Sequence, residues 1–136
     1  MANTDAPKGF VPLRHLGGGL TRANGNYKIA SAYGTIIGRG DAVKMHSDGT
    51  IIRAAAGDVL LGIFAGCQYT NSLGSPVWSD YWPASTTATD IIAYVYDDPW
   101  IVFGVQVNGG TLDQQAVGAC ADIVVANFDT TIKTSQ

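Results

Sequence analysis

Gly57-Asp58-Val59-Leu60-Leu61-Gly62-Ile63-Phe64-Ala65-Gly66-Cys67-Gln68-Tyr69-Thr70 carries most of the fold information in this chain. A Gly-Asp turn delivers the chain into Val59 to Ala65, a run with no polar face. A strand of that kind is covered on both sides, so the run predicts a central strand. Gly62 and Gly66 stand where a bend or bulge would fall, and Gln68-Tyr69-Thr70 extends the strand. The apolar run from Val59 to Cys67 is far shorter than the roughly 20 residues of a membrane-spanning helix.

On the upstream side, a strand around Ala42 to Met45 meets a turn at Ser47-Asp48-Gly49-Thr50 and returns through Ile51, Ile52 and Arg53. This is the clearest hairpin in the chain. Tyr27 to Tyr33 alternates as a strand would, after an Asn24-Gly25 turn signal. Residues 1–20 read as an extended arm. Pro7 and Pro12 oppose helix, Phe10, Val11, Leu13 and Leu16 are its apolar anchors, and Gly17-Gly18-Gly19 is a joint. Such an arm either wraps its own domain or reaches a neighbour.

Downstream, Asn71 to Pro76 reads as a loop. Asp90 to Tyr96 alternates, with Ile92, Tyr94 and Tyr96 on one face and Ile91, Ala93 and Val95 on the other. A turn at Asp97-Asp98-Pro99 then predicts a second hairpin with Trp100 to Val107, ended by Asn108-Gly109-Gly110. Thr111 and Gln114 match a capping box, for a short helix or turn over Leu112 to Val117 that Gly118 stops. Ala121 to Asn127 reads as a last strand, and residues 129–136 as a loose tail.

Composition agrees with this β reading. All eleven acidic residues are Asp and none is Glu, which favours turns and caps over helix interiors, and Gly occurs 17 times. The fold class expected for the 136 residues is mainly β. It is a single compact β-barrel or sandwich over residues 21–128, with an extended N-terminal arm and at most one short helix.

Only 14% of residues are charged while 46% are hydrophobic, which suggests an exterior partly covered by a partner or by copies of itself. The net charge of −3 is the wrong sign for a nucleic-acid binder. Residues 1–53 hold seven of the eight basic residues and three Asp, a net of +4; the remainder carries −7. A basic front and an acidic back favour contacts between copies. The start Met1-Ala2-Asn3-Thr4-Asp5 has neither the basic nor the apolar segment of a secretory leader, so synthesis in a cytosol with reduced thiols is expected for Cys67 and Cys120.

Chemistry-bearing patterns are sparse. His15 lies in the arm and His46 beside a hairpin turn, neither in a paired motif, and the sequence has no GxSxG elbow. No catalytic residue, metal or cofactor is therefore expected. Asp97-Asp98 lacks the spaced oxygens of a calcium loop. Gly17-Gly18-Gly19 lacks the Lys-Ser/Thr of a phosphate loop. Arg39-Gly40-Asp41 spells an adhesion tripeptide, though a turn explains Gly40 and Asp41. Trp78, Tyr81 and Trp82 are the most distinctive cluster. In a strand Trp78 and Trp82 would share a face; the three rings suit a core, a protein interface or a sugar site.

Four blocks carry a resemblance: Asp5-Ala6-Pro7-Lys8-Gly9-Phe10-Val11-Pro12-Leu13-Arg14-His15-Leu16, then Gly57 to Tyr69, then Tyr96-Asp97-Asp98-Pro99-Trp100-Ile101-Val102-Phe103-Gly104-Val105-Gln106-Val107, then Val117-Gly118-Ala119-Cys120-Ala121-Asp122-Ile123. Together they resemble the small head decoration, or cement, proteins of tailed bacteriophages. In that family the last block runs into a longer Gly/Ser/Thr-rich continuation, whereas this sequence ends at Gln136. The resemblance implies a virion protein on the outer face of an expanded capsid, made in the bacterial host cytoplasm. Its partners would be the major capsid protein and copies of itself, often as a trimer, with no nucleic acid, membrane or cofactor involved. Arm residues Pro7, Phe10, Pro12, Leu13 and Arg14 would then dock on the capsid or the next copy, and Trp78, Tyr81 and Trp82 would lie at a subunit contact. Removal of residues 1–16 is expected to weaken docking while leaving the domain folded. Carbohydrate binding through the aromatics, or a place in a tail or connector, are the alternatives.

Overall fold

The computed structural model describes residues 7–107, 111–126, 128–131 and 135. Asp5 and Ala6 of the first block, the Asn108-Gly109-Gly110 terminator, Asn127 and Lys133 lie outside the described residues. Among the described residues there are eight strands: β1 (Val11–His15), β2 (Asn24–Tyr27), β3 (Ala42–Met45), β4 (Ile51–Arg53), β5 (Gly62–Asn71), β6 (Pro76–Ser79), β7 (Ala88–Tyr96) and β8 (Ile101–Gly104). Six of them form one sheet in the order β2-β7-β5-β3-β4, with β6 also on β5, while β1 and β8 form a separate two-stranded ribbon. The protein is mainly β, with two sheets and no closed barrel among the described residues.

β5 is the central strand. β7 follows it from Ile63 to Asn71 on one edge; β3 at Gly62 and Ile63 and β6 at Cys67 to Thr70 take further positions along it. The strand begins later than the apolar run suggested. Val59 is 90% exposed, and the chain enters the sheet only where Leu61 N–H donates to the Val43 carbonyl at 2.9 Å. A glycine is needed at position 62 because a Cβ there would collide with the Tyr96 carbonyl.

The register of β5 against β7 slips between Phe64 and Gly66, and Gly66 has φ +144°. The extra residue reverses the inside–outside alternation. As a result Phe64, Cys67 and Tyr69 all reach the main core, with Ile91 and Val95 of β7 and the fully buried Trp82. Ile63 points the other way, into a second cluster with Ala42, Ala54, Phe10, Tyr96 and Phe103. That second cluster is why β5 is apolar on both faces.

The hairpin of β3 and β4 forms as the sequence predicts, with Met45 opposite Ile51 and Val43 opposite Arg53. Asp48 holds its turn, accepting from the Thr50 N–H at 2.9 Å and the Thr50 hydroxyl at 2.7 Å. These bonds, with His46 beside them, lower the Asp48 carboxyl from 3.8 to about 2. The folded value lies below the unfolded one, so the turn's contribution is complete above pH 3.8 and is lost as the pH falls towards about 2. Protection of the Thr50 amide, its exchange rate referred to the intrinsic rate at each pH, is expected to fall across that window ahead of the core amides. A uniform loss of protection would show that Asp48 does not hold the turn.

Several sequence expectations are corrected. The strand expected over Tyr27 to Tyr33 is instead β2, ending at Tyr27. Asn24-Gly25 lies in the strand because Gly25 makes room for the Tyr94 ring, 2.8 Å from where a Cβ would stand. The second hairpin does not form. Both edges of β7 are occupied, by β5 and β2, so β8 leaves and pairs with β1. Residues 121–126 form no strand, and Val124 is 66% exposed. The short helix or turn expected over Leu112 to Val117 is present as a single 3-10 turn, Gln114–Ala116, but its cap is Asp113 rather than Thr111. Phe128, just ahead of the stretch read as a loose tail, lies on Gly38 and Tyr81, and within that stretch Ser135 is buried with its N–H on the Arg39 carbonyl at 3.1 Å.

Candidate functional site

The arm residues fall into two sets. Phe10 turns inward: its ring meets Phe103 edge-on at 6.3 Å, and its N–H donates to the Gly40 carbonyl at 3.0 Å. Pro7 and Pro12 are half-buried, Pro12 opposite Phe103 in the ladder. The β1–β8 register shifts between Pro12 and Arg14, leaving Leu13 as the extra residue of a bulge. Leu13 is 64% exposed, lies along Gly104, and stands beside an exposed Arg14.

The arm therefore wraps its own domain and presents a new surface. Deleting residues 1–16 would strip β8 of its strand partner and uncover Phe103 and Tyr96, so the expectation that the truncated domain stays intact is withdrawn.

Nothing in the sequence signals that Leu16 and Trp100 meet. They line an open depression of about 340 Å³ with His15 and Gly17 at the end of the ribbon, and the Leu16 N–H donates to the Trp100 carbonyl at 2.9 Å. His15 latches this corner. Its Nδ1 accepts from the Gly17 N–H at 3.0 Å, so the ring proton sits on Nε2 and is donated to Asp98 Oδ2 at 3.0 Å. The Trp100 N–H and then His15 hold the Asp98 carboxyl below the usual carboxylate range. Val11, Leu13, Leu16, Trp100 and Val105 are exposed apolar residues on or next to this ribbon, with Leu13 along Gly104 and Leu16 beside Trp100.

The three aromatics separate. Trp82 is wholly buried, so the expected subunit contact through this ring is corrected to a core role. It leaves the strand alignment because the chain turns after β6, and Trp82 exchanges backbone hydrogen bonds with Ile37 at 2.8 and 3.3 Å. Tyr81 is half-buried against Phe128 at 5.5 Å. Trp78 alone faces out, 73% exposed, stacked on Tyr94 at 6.1 Å and 13°.

Among the described residues no group of three or more His, Cys, Asp or Glu side chains converges in a way that would hold a metal ion. Cys67 is buried and Cys120 exposed, both free. Burial, then the nearby Asp80, pushes the Cys67 thiol up to about 12, so it is a packing residue rather than a nucleophile. Asp41 of the adhesion tripeptide is buried at 3% exposure, which removes that motif's carboxylate from any receptor. Comparison with protein-family models, curated proteins and solved structures finds no match to this chain.

Proposed function

We propose that this chain is a structural virion protein, a capsid decoration protein that binds the outer face of the major capsid shell of a tailed bacteriophage. The observation that carries the reading is the set of exposed apolar residues on and beside the β1–β8 ribbon, here taken as one docking band and drawn from two of the four sequence blocks that resemble cement proteins. Apolar surface presented this way marks an interaction site. The ribbon is pre-ordered by its ladder, by Phe10 in the second core and by the His15–Asp98 latch, so little ordering entropy is lost on docking.

In this role the protein acts by adhesion alone, with no catalytic step and no cofactor. Leu13, Leu16 and Trp100 would be buried against the shell or the next copy, with Arg14 at the rim. Phe10, Pro12 and Pro7 act indirectly, by holding the ribbon. Modest contacts suffice because many copies share one shell and neighbouring copies hold one another. A trimer is the assembly proposed, and the virion surface the location.

Co-sedimentation with expanded, undecorated capsids tests this. Saturable binding at a fixed ratio to capsid subunits is expected. Leu13→Asp, at an exposed position, should leave the fold intact and weaken binding by about tenfold or more. Binding equal to that of the unaltered chain would sink the ribbon assignment, and no binding by the folded chain would sink the capsid role.

A further inference from the structure

The outer face of the main sheet carries a second feature that capsid docking does not use. Trp78 projects from β6 and lies nearly parallel to Tyr94 of β7, across β5. Two details hold the Tyr94 ring beneath Trp78, and a third opens space beside the pair. The Tyr94 hydroxyl donates to Gln68 Oε1 at 3.1 Å. Gly25 leaves the space the Tyr94 ring occupies. The Gly66 bulge, where a Cβ would stand 3.1 Å from the Ser79 carbonyl, opens a depression of about 310 Å³ between the rings and Asp80. A large aromatic side chain fixed in this way yet 73% exposed is a preorganised platform.

We propose that this platform binds a neutral carbohydrate, one pyranose ring stacking its C–H face on Trp78 while the exposed Asp80 carboxylate accepts hydrogen bonds from ring hydroxyls. The depression is at the small end of small-molecule sites, which suits a terminal ring rather than a long chain. An indole plane offers apolar area with a defined orientation, and a carboxylate gives charge-assisted bonds to hydroxyls. Asp80 repels phosphates and acidic sugars, so nucleic acid and sialylated glycans are disfavoured. Ser79 contributes position only, since its hydroxyl already donates to the Tyr81 carbonyl at 2.6 Å.

The inference stands apart from the capsid reading, and the test separates them. The full chain is applied to an array of neutral and acidic oligosaccharides, and the best neutral glycan is titrated calorimetrically. Binding of neutral glycans is expected, reduced about tenfold or more by Trp78→Ala and weakened by Asp80→Asn, with Trp78→Phe retaining most of it. Oligomer mass and capsid co-sedimentation of Trp78→Ala should be unchanged. Absence of any neutral glycan bound at about 1 mM would overturn the proposal. So would equal binding by Trp78→Ala, or a loss of oligomer mass in that variant, which would make the platform a protein contact.

Discussion

Trp82→Ala is expected to lower the unfolding free energy by about 3–5 kcal/mol, a large part of what a domain of this size has. Trp82 is the largest fully buried side chain, packed edge-on against Tyr69 at 5.3 Å. Its indole N–H donates to the Tyr33 carbonyl at 3.3 Å. Alanine would leave a cavity beneath β5, while the Tyr33 carbonyl would keep its other donor, the Ser85 N–H at 2.8 Å. Trp78→Ala, four residues away, is expected to change stability by no more than about 0.5 kcal/mol, because that ring is mostly in solvent. Urea unfolding of both variants, compared at constant m-value, gives the difference. Similar losses in the two would mean that the burial of Trp82 does not set its contribution.

That contrast marks the limit of what the sequence could reveal. The apolar run around Ile63 identified the central strand, because double-sided burial leaves its trace in composition. Asp48-Gly49 identified the β3–β4 turn, because turn chemistry is local. The alternation of Ile91, Ala93 and Val95 placed the inner face of β7 correctly. None of these depends on strand order.

The fate of Trp78 and Trp82 does depend on it. Treating residues 78–82 as one strand put both rings on one face. The chain instead ends β6 at Ser79 and folds Trp82 back onto Ile37. Likewise Trp100 to Val107 looked like the partner of β7, and only the pairing of β2 with β7 excludes it. The ribbon surface therefore stayed hidden, although Leu13, Leu16 and Trp100 were all recognisable as apolar residues near turns. What assembles them is a non-local β1–β8 ladder joining residues some ninety positions apart, roughly the separation of Val11 and Gly104.

The charge division reads differently once the fold is known. Part of the basic front finds acidic partners within its own fold: Lys44 Nζ lies 2.7 Å from Asp58, and His15 reaches Asp98. The Asp58 carboxyl is held low, mainly by Lys44. Arg14 remains on the exposed ribbon, beside the band proposed to dock. Contacts between copies would thus draw on only part of the sequence asymmetry, with the apolar band supplying affinity and Arg14 orientation.

Asp41 and Arg53 form the pair whose disruption should matter most after Trp82. The Asp41 carboxylate is buried, accepts from the Gly38 N–H at 2.7 Å and from Arg53 Nη2 at 3.3 Å, and lies 3.2 Å from Arg53 Nε. Nε is buried and too poorly aligned for a hydrogen bond of its own, while Nη2 also donates to the Ala126 carbonyl. Removing one partner leaves a buried charge uncompensated, so Asp41→Ala and Arg53→Met are each expected to cost about 3–5 kcal/mol. The double variant Asp41→Leu with Arg53→Met removes both charges and should lose only about 1–3 kcal/mol, mainly from the orphaned Gly38 N–H. Denaturation of the singles and the double forms a cycle, and strictly additive losses would show that the two residues are not an energetic unit. The same turn presents the Gly40 carbonyl to Phe10, so loosening it should also release the arm. If the proposed capsid role holds, the single variants lose capsid binding more than Leu13→Asp does, although neither residue lies on the proposed docking band.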